Sequence, residues 1–132
     1  SKGYKILSII FGLLFLPVLT SEESGNFQNI SIQADQVTID GEIRQLAFKN
    51  NIKIIIDGYI INGSNALLSQ KDKKLEIYGK PATIKSIAVD GEAEVFVIYP
   101  NKSMNLIGNA KLLNNSNSIT SNLIAYQISP NE

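Results

Sequence analysis

The 132-residue chain has no cysteine, no histidine and no tryptophan, and its 12 basic residues are matched by 12 acidic ones. Without cysteine or histidine it has no thiol chemistry, no imidazole acid–base catalysis, and no zinc or haem ligation by those side chains. The same absence excludes a disulfide-stapled scaffold. A formal charge of zero argues against nucleic-acid binding, which draws on a basic surplus. No glycine-rich loop ending in Lys-Ser/Thr is present, so a phosphate-loop nucleotide site is not expected. In place of these the chain has isoleucine and asparagine, 21 and 14 copies, with only 18% charged residues. Strand formers mixed with turn formers suit many short strands.

Lys2 and Lys5 precede an apolar run from Ile6 to Leu19, interrupted only by Ser8, Gly12 and Pro17. A short basic segment, an apolar stretch and then small polar residues form the layout of a secretory signal peptide, here residues 1–20 with a cut after Thr20. The run falls short of the roughly 20 apolar residues that span a bilayer as a helix. An uncleaved N-terminal anchor is the alternative. Residues 21–29 then read as a linker and residues 30–132 as one domain outside the cytoplasm.

From Ile30 the pattern is that of strands. Ile30, Ile32 and Ala34 alternate with polar residues, and then the phase slips by one to Val37 and Ile39. Such a slip marks a bulge or corner, since one extra residue re-aims every later side chain. It returns 29 residues on, as Ile61 and Gly63 followed by Ala66 and Leu68, and again as Ile119 and Ser121 followed by Ile124 and Tyr126. A fourth copy, with one residue inserted, has Ala93, Glu94, Phe96 and Ile98. Asp35, Ser64 and Asn122 occupy the slip, as short polar residues able to bond nearby backbone.

A second unit recurs between these strands: Leu46, Phe48 and Asn50, then Leu75, Ile77 and Gly79, then Met104, Leu106 and Gly108. Asparagine and glycine tolerate positive φ, so a bend is expected there. Turn signals fall into two series: Asp40-Gly41, Gln70 to Lys73 and Pro100-Asn101, then Asp57-Gly58, Asp90-Gly91 and Asn114 to Asn117. A fixed period of this length implies stacked units that share one core. The expectation is an elongated, all-β, antiparallel stack of about ten to twelve short strands.

The inward isoleucine, leucine, valine and phenylalanine side chains make either a plain core or an apolar slot for acyl chains, which gain about 0.8 kcal/mol per buried CH₂. The opening strand has an edge suited to pairing, as does the last. Enzymatic signals are poor. Asp35, Asp40 and Asp57 would be the set for glycan cleavage, yet each already has a turn or corner explanation. Lys71 to Lys74 is most simply a solvated turn, with phosphate contact the minority reading.

The segment Tyr78-Gly79-Lys80-Pro81-Ala82-Thr83-Ile84 resembles the GKPATF-type motif of the OstA-like family of LptA-type periplasmic lipopolysaccharide transport proteins. Ser31 to Asp40 is similar to that family's opening strand, Phe48 to Asn51 to its Phe-x-Gly-Asn bend, and Leu106 to Ala110 to its second bend. The likeness runs from about residue 30 to residue 128. It implies a slightly twisted, open antiparallel β-jellyroll with no catalytic group, cofactor or metal. The implied role is a periplasmic carrier and bridge that holds lipopolysaccharide acyl chains in an apolar groove. The implied partners are an LptC-like inner-membrane protein, an LptD-like outer-membrane protein and further copies joined head to tail. An anchored LptC-like or LptD-N-terminal-like component of the same pathway is the alternative, and a glycan-active or adhesive β-solenoid a third.

Ile30, Ile32 and Ile84 match groove positions by resemblance, the alternation adds Ala34, and the repeat register adds Phe48, Ile77, Phe96, Ile98 and Leu106. The expected partner-facing edges are Ile30, Ser31, Ile32 and Gln33 at one end and Ile119, Ile124 and Tyr126 at the other. Asn50 stands where the family has a bend glycine. The sequence stops at Glu132, before the family's final hairpin, so Ile119 to Ile128 is expected as the exposed edge.

Overall fold

The structure, a computed structural model, describes residues 4–5 and 27–128. The signal-peptide reading of residues 1–20 falls almost wholly outside these, as does most of the linker.

The described residues form nine strands and no helix: β1 (Tyr4–Lys5), β2 (Ile30–Gln33), β3 (Gln36–Asp40), β4 (Gln45–Ile56), β5 (Tyr59–Ser69), β6 (Lys74–Lys85), β7 (Val89–Ile98), β8 (Ser103–Asn114) and β9 (Asn117–Gln127). They lie in one antiparallel sheet in chain order, with β2 and β3 both on β4 and β1 outside β3. The sheet path does not close on itself, so this is an open β-jellyroll. Fewer and longer strands form than the ten to twelve expected. The strands are not cut at the phase slips; β4 to β9 continue through them.

Every slip lies on one line. Register shifts fall between Lys49 and Ile52 in β4, Tyr78 and Ala82 in β6, and Ile107 and Ala110 in β8. Asn50 and Asn51 oppose Ser64, and Gly108 and Asn109 oppose Asn122, two residues against one. The corner unit and the bend unit of the repeat are thus two sides of the same bulge. Asn50, Asn51, Gly108 and Asn109 all have positive φ, between 47° and 89°. The residue inserted into the third period is located as well: the β6 bend is Gly79-Lys80-Pro81, three residues where β4 and β8 use two.

The bulge line divides the sheet into two half-sheets. One holds β3, the first halves of β4, β6 and β8, and the second halves of β5, β7 and β9; the other holds β2 and the complementary halves. Apolar side chains from both faces fill the space between them, from Ile32 and Val37 to Ile124 and Ile128. Ser69 is the one buried polar residue among the described residues.

One turn signal misled. Asp90-Gly91 lies inside β7, and the connection from β6 to β7 is Ser86 to Ala88. A Cβ on Gly91 would come 2.9 Å from Leu112 Cδ1 and 3.0 Å from Ile84 Cγ2. This glycine makes room for core side chains, and the aspartate before it pairs with Lys85 at 3.5 Å on the outer face.

Candidate functional site

The residues expected to line a groove converge. Ile32, Phe48, Ile77, Phe96, Ile98 and Leu106 are fully buried, Ile84 and Ala34 nearly so, and Ile30 packs partly buried against them. The structure therefore has these side chains sealed against one another between the half-sheets. Of the expected edge residues, Ile32 is buried while Ser31 and Gln33 are half-buried on β2. On β9 Ile124 is buried, Tyr126 half-buried and Ile119 about half exposed. Ile119 holds the place in the repeat that Ile61 holds, and it is exposed because no further described strand lies beyond β9 to cover it.

Corner residues bond across strands through side chains. Asn51 Nδ2 donates to Asp35 Oδ2 at 2.7 Å, and Asn109 Nδ2 donates to Glu94 Oε2 at 2.8 Å. The Asp35 corner also has a backbone bond, Asp35 N donating to Asn50 O at 3.0 Å, and both donating asparagines have positive φ. Tyr78, Gly79, Pro81, Glu94 and Asn109 also border a shallow groove of about 660 Å³ outside the bulge line.

The three carboxylates considered for catalysis are each engaged elsewhere. Asp35 holds Asn51, Asp40 Oδ1 accepts from the Glu42 and Ile43 amides of its turn, and Asp57 pairs with Lys102. No cluster of three or more acidic side chains suited to a metal occurs among the described residues.

Opposite the bulge line, the strand-end turns of the two half-sheets form two lips. Among the described residues two polar contacts join them, and neither was legible in the sequence. Lys102 Nζ donates to Asp57 Oδ2 at 2.7 Å, with both side chains less than a fifth exposed. The Tyr59 and Tyr126 hydroxyls lie 2.9 Å apart, with the rings edge to face at 6.2 Å. The partners are 45 and 67 residues apart, so no local pattern marks them. Burial and the bond to Tyr59 push Tyr126 up to about 12.

That shift has a consequence for stability. Between about 10, where a free tyrosine ionises, and about 12, the folded chain keeps a proton that the unfolded chain has lost. Stability is therefore expected to fall as pH rises through this window. Tyr126→Phe should flatten that part of a denaturant-midpoint profile relative to the parent. An identical slope in both proteins would show that the hydroxyl pair contributes nothing.

Comparison with known proteins adds two findings. A family model described as the LptA/LptD N-terminal domain lipopolysaccharide transport protein matches residues 31–132. Among solved structures, the chain is similar to LptH, the LptA-homologous periplasmic component of the lipopolysaccharide transport device of Pseudomonas aeruginosa, with a TM-score of 0.68. The two share 18% identity over 74% of this chain and 75% of that one, a likeness of fold. No curated protein matches the chain.

Proposed function

Because the chain belongs to the LptA/LptD N-terminal domain family of lipopolysaccharide transport proteins, we propose that it carries lipopolysaccharide with the acyl chains held between its two half-sheets. The observation that carries this reading is the interior: apolar side chains packed between two half-sheets that meet along one bulge line and are joined at the opposite margin by contacts between turns. Parting that margin exposes a continuous apolar slot without breaking a strand. Each buried CH₂ of an acyl chain then contributes about 0.8 kcal/mol, so binding needs no reactive group.

A periplasmic location is supported by the structural relative, which is itself a periplasmic component. A place in a bridge is supported by its edges. β9 carries no charge and no proline over eleven residues, and an uncharged edge of that length suits strand addition by an LptC-like or LptD-like partner or by another copy. The family model spans both LptA and the LptD N-terminal domain, so an anchored or fused component of the same pathway is the second reading. Sequencing the N-terminus of the exported protein separates the two, since retention of Lys2 to Leu19 means an anchor.

The slot is tested with a photoreactive phenylalanine analogue in cells. Placed at Tyr59, at the margin, it should capture lipopolysaccharide; placed at Lys53, on the outer face of β4, it should not. Equal capture at both positions, or none at Tyr59, would overturn the slot.

A further inference from the structure

The two lips differ in charge. One is made of the turns 41–44, 70–73 and 99–102 and carries Arg44, Lys71, Lys73 and Lys102, with Lys74 at the start of β6. Its acidic residues are Glu42 and Asp72, with Asp40 at the end of β3, which leaves this lip a surplus of two positive charges. The other is made of the turns 57–58, 86–88 and 115–116; Asp57 is the only charged residue within those turns, and Lys85 stands beside them at the end of β6. Since these turns join alternate strand pairs, neighbouring turns of one lip lie about 10 Å apart. The cations therefore stand in a row along one side of the apolar slot.

Lys102 is the best placed of them. Its backbone is fixed on both sides: its N–H donates to Tyr99 O at 2.8 Å and its carbonyl accepts from Ile128 N at 2.9 Å. Its ammonium is mostly buried and held by the single acid of the opposite lip. Of the ion pairs among the described residues, Lys74–Glu76 and Lys85–Asp90 each stay within one half-sheet; Lys102–Asp57 bridges the two. A buried ammonium cannot give up its carboxylate to water cheaply, but it can exchange it for another anion.

We propose that the cationic lip binds the phosphate groups of an acylated, phosphorylated amphiphile, and that Lys102 exchanges Asp57 for a phosphate oxygen as the acyl chains enter. The exchange couples head-group recognition to opening, because the ion pair that is lost is one that holds the lips together. Phosphate offers Lys102 a charge-assisted bond of the same kind as the one it leaves. This inference rests on the slot reading above and adds the polar half of the ligand to it.

The test uses the purified full chain and three probes: diphosphorylated lipid A, the same lipid with both phosphates removed, and inorganic pyrophosphate. The parent should bind the phosphorylated lipid more tightly than the dephosphorylated one, and pyrophosphate only weakly. Lys102→Gln should lose about tenfold in affinity for the phosphorylated lipid, as expected for one charge-assisted bond, and little for the dephosphorylated one. Asp57→Asn, which frees the ammonium, should bind the phosphorylated lipid more tightly than the parent does. Lys102→Arg, which keeps the charge, controls for folding and should retain the preference for phosphate. Equal losses for both lipids in Lys102→Gln, weaker binding in Asp57→Asn, or pyrophosphate bound as tightly as the lipid would each overturn the proposal. Parent protein that binds both lipids equally defeats the phosphate lip alone, whereas parent protein that binds neither defeats the slot as well.

Discussion

Ile84→Asp is expected to leave the chain largely unfolded at room temperature. Ile84 is 1% exposed and faces the interior from the second half of β6, flanked across the sheet by Ile61 and Gly91. A carboxylate there would lose its water and find no described cation, since the neighbouring interior positions are apolar. An unpaired buried charge costs several kcal/mol even after relaxation, against a total stability of about 5–15 kcal/mol for a domain. The matched control is Ile60→Asp, one residue from Ile61 but on the outer face and paired across the sheet with Lys85. That variant should stay folded, with a change of about 0.5 kcal/mol or less. Circular dichroism with urea titration distinguishes the two, and similar midpoints would mean that the faces of this half-sheet are misassigned. The comparison also bears on binding studies. A charge placed at Ile84 tests folding before it tests lipid, so affinity should be probed with Ile84→Val, which should lose only about 0.5–1.5 kcal/mol of stability.

Gly79→Ala is expected to cost about 3 kcal/mol, at the upper end for an overpacked site. A Cβ at this position would come 2.6 Å from Ala82 N, 2.8 Å from Ala82 Cα and 2.9 Å from Pro81 C. All three are main-chain atoms, of Pro81 in the bend and of Ala82 directly after it, so no rotamer change relieves the contact. The β6 bend carries one residue more than its counterparts in β4 and β8, and it folds back on Gly79 to keep Ala82 in register with Ala93. Loss of the glycine should therefore loosen the register of β6 against β7 as well as lower the midpoint. Gly41→Ala is the control, because a Cβ there meets nothing within 4 Å. Equal midpoints for the two variants would show that the bend is free to widen.

These variants divide what a reader of the sequence could see from what could not be seen. The Ile61 side of β5 and the Phe96 side of β7 were legible because period-2 alternation sends every second side chain to one face. Even the missing copy was visible as a 29-residue register with one residue added. Asp90-Gly91 was misread because an Asp-Gly pair signals a turn by its local preferences, while Gly91 is there for the bulk of Leu112 and Ile84 across the strands. Ile119 and Ile61 share one place in the repeat but differ in burial, since exposure depends on whether a described strand lies beyond the residue.

The sequence by itself determined the strands, their corners, the apolar face and the likeness to a lipopolysaccharide transport family, because alternation, turns and motifs are all written in short stretches of chain. Only the tertiary structure decided that corners and bends share one line, and that the opposite margin is held by Lys102 with Asp57 and Tyr59 with Tyr126. The physical reason is that the approach of the two lips is the sum of the bends at every bulge. No single segment encodes that sum, so residues 45 and 67 positions apart become partners with no mark in the sequence between them.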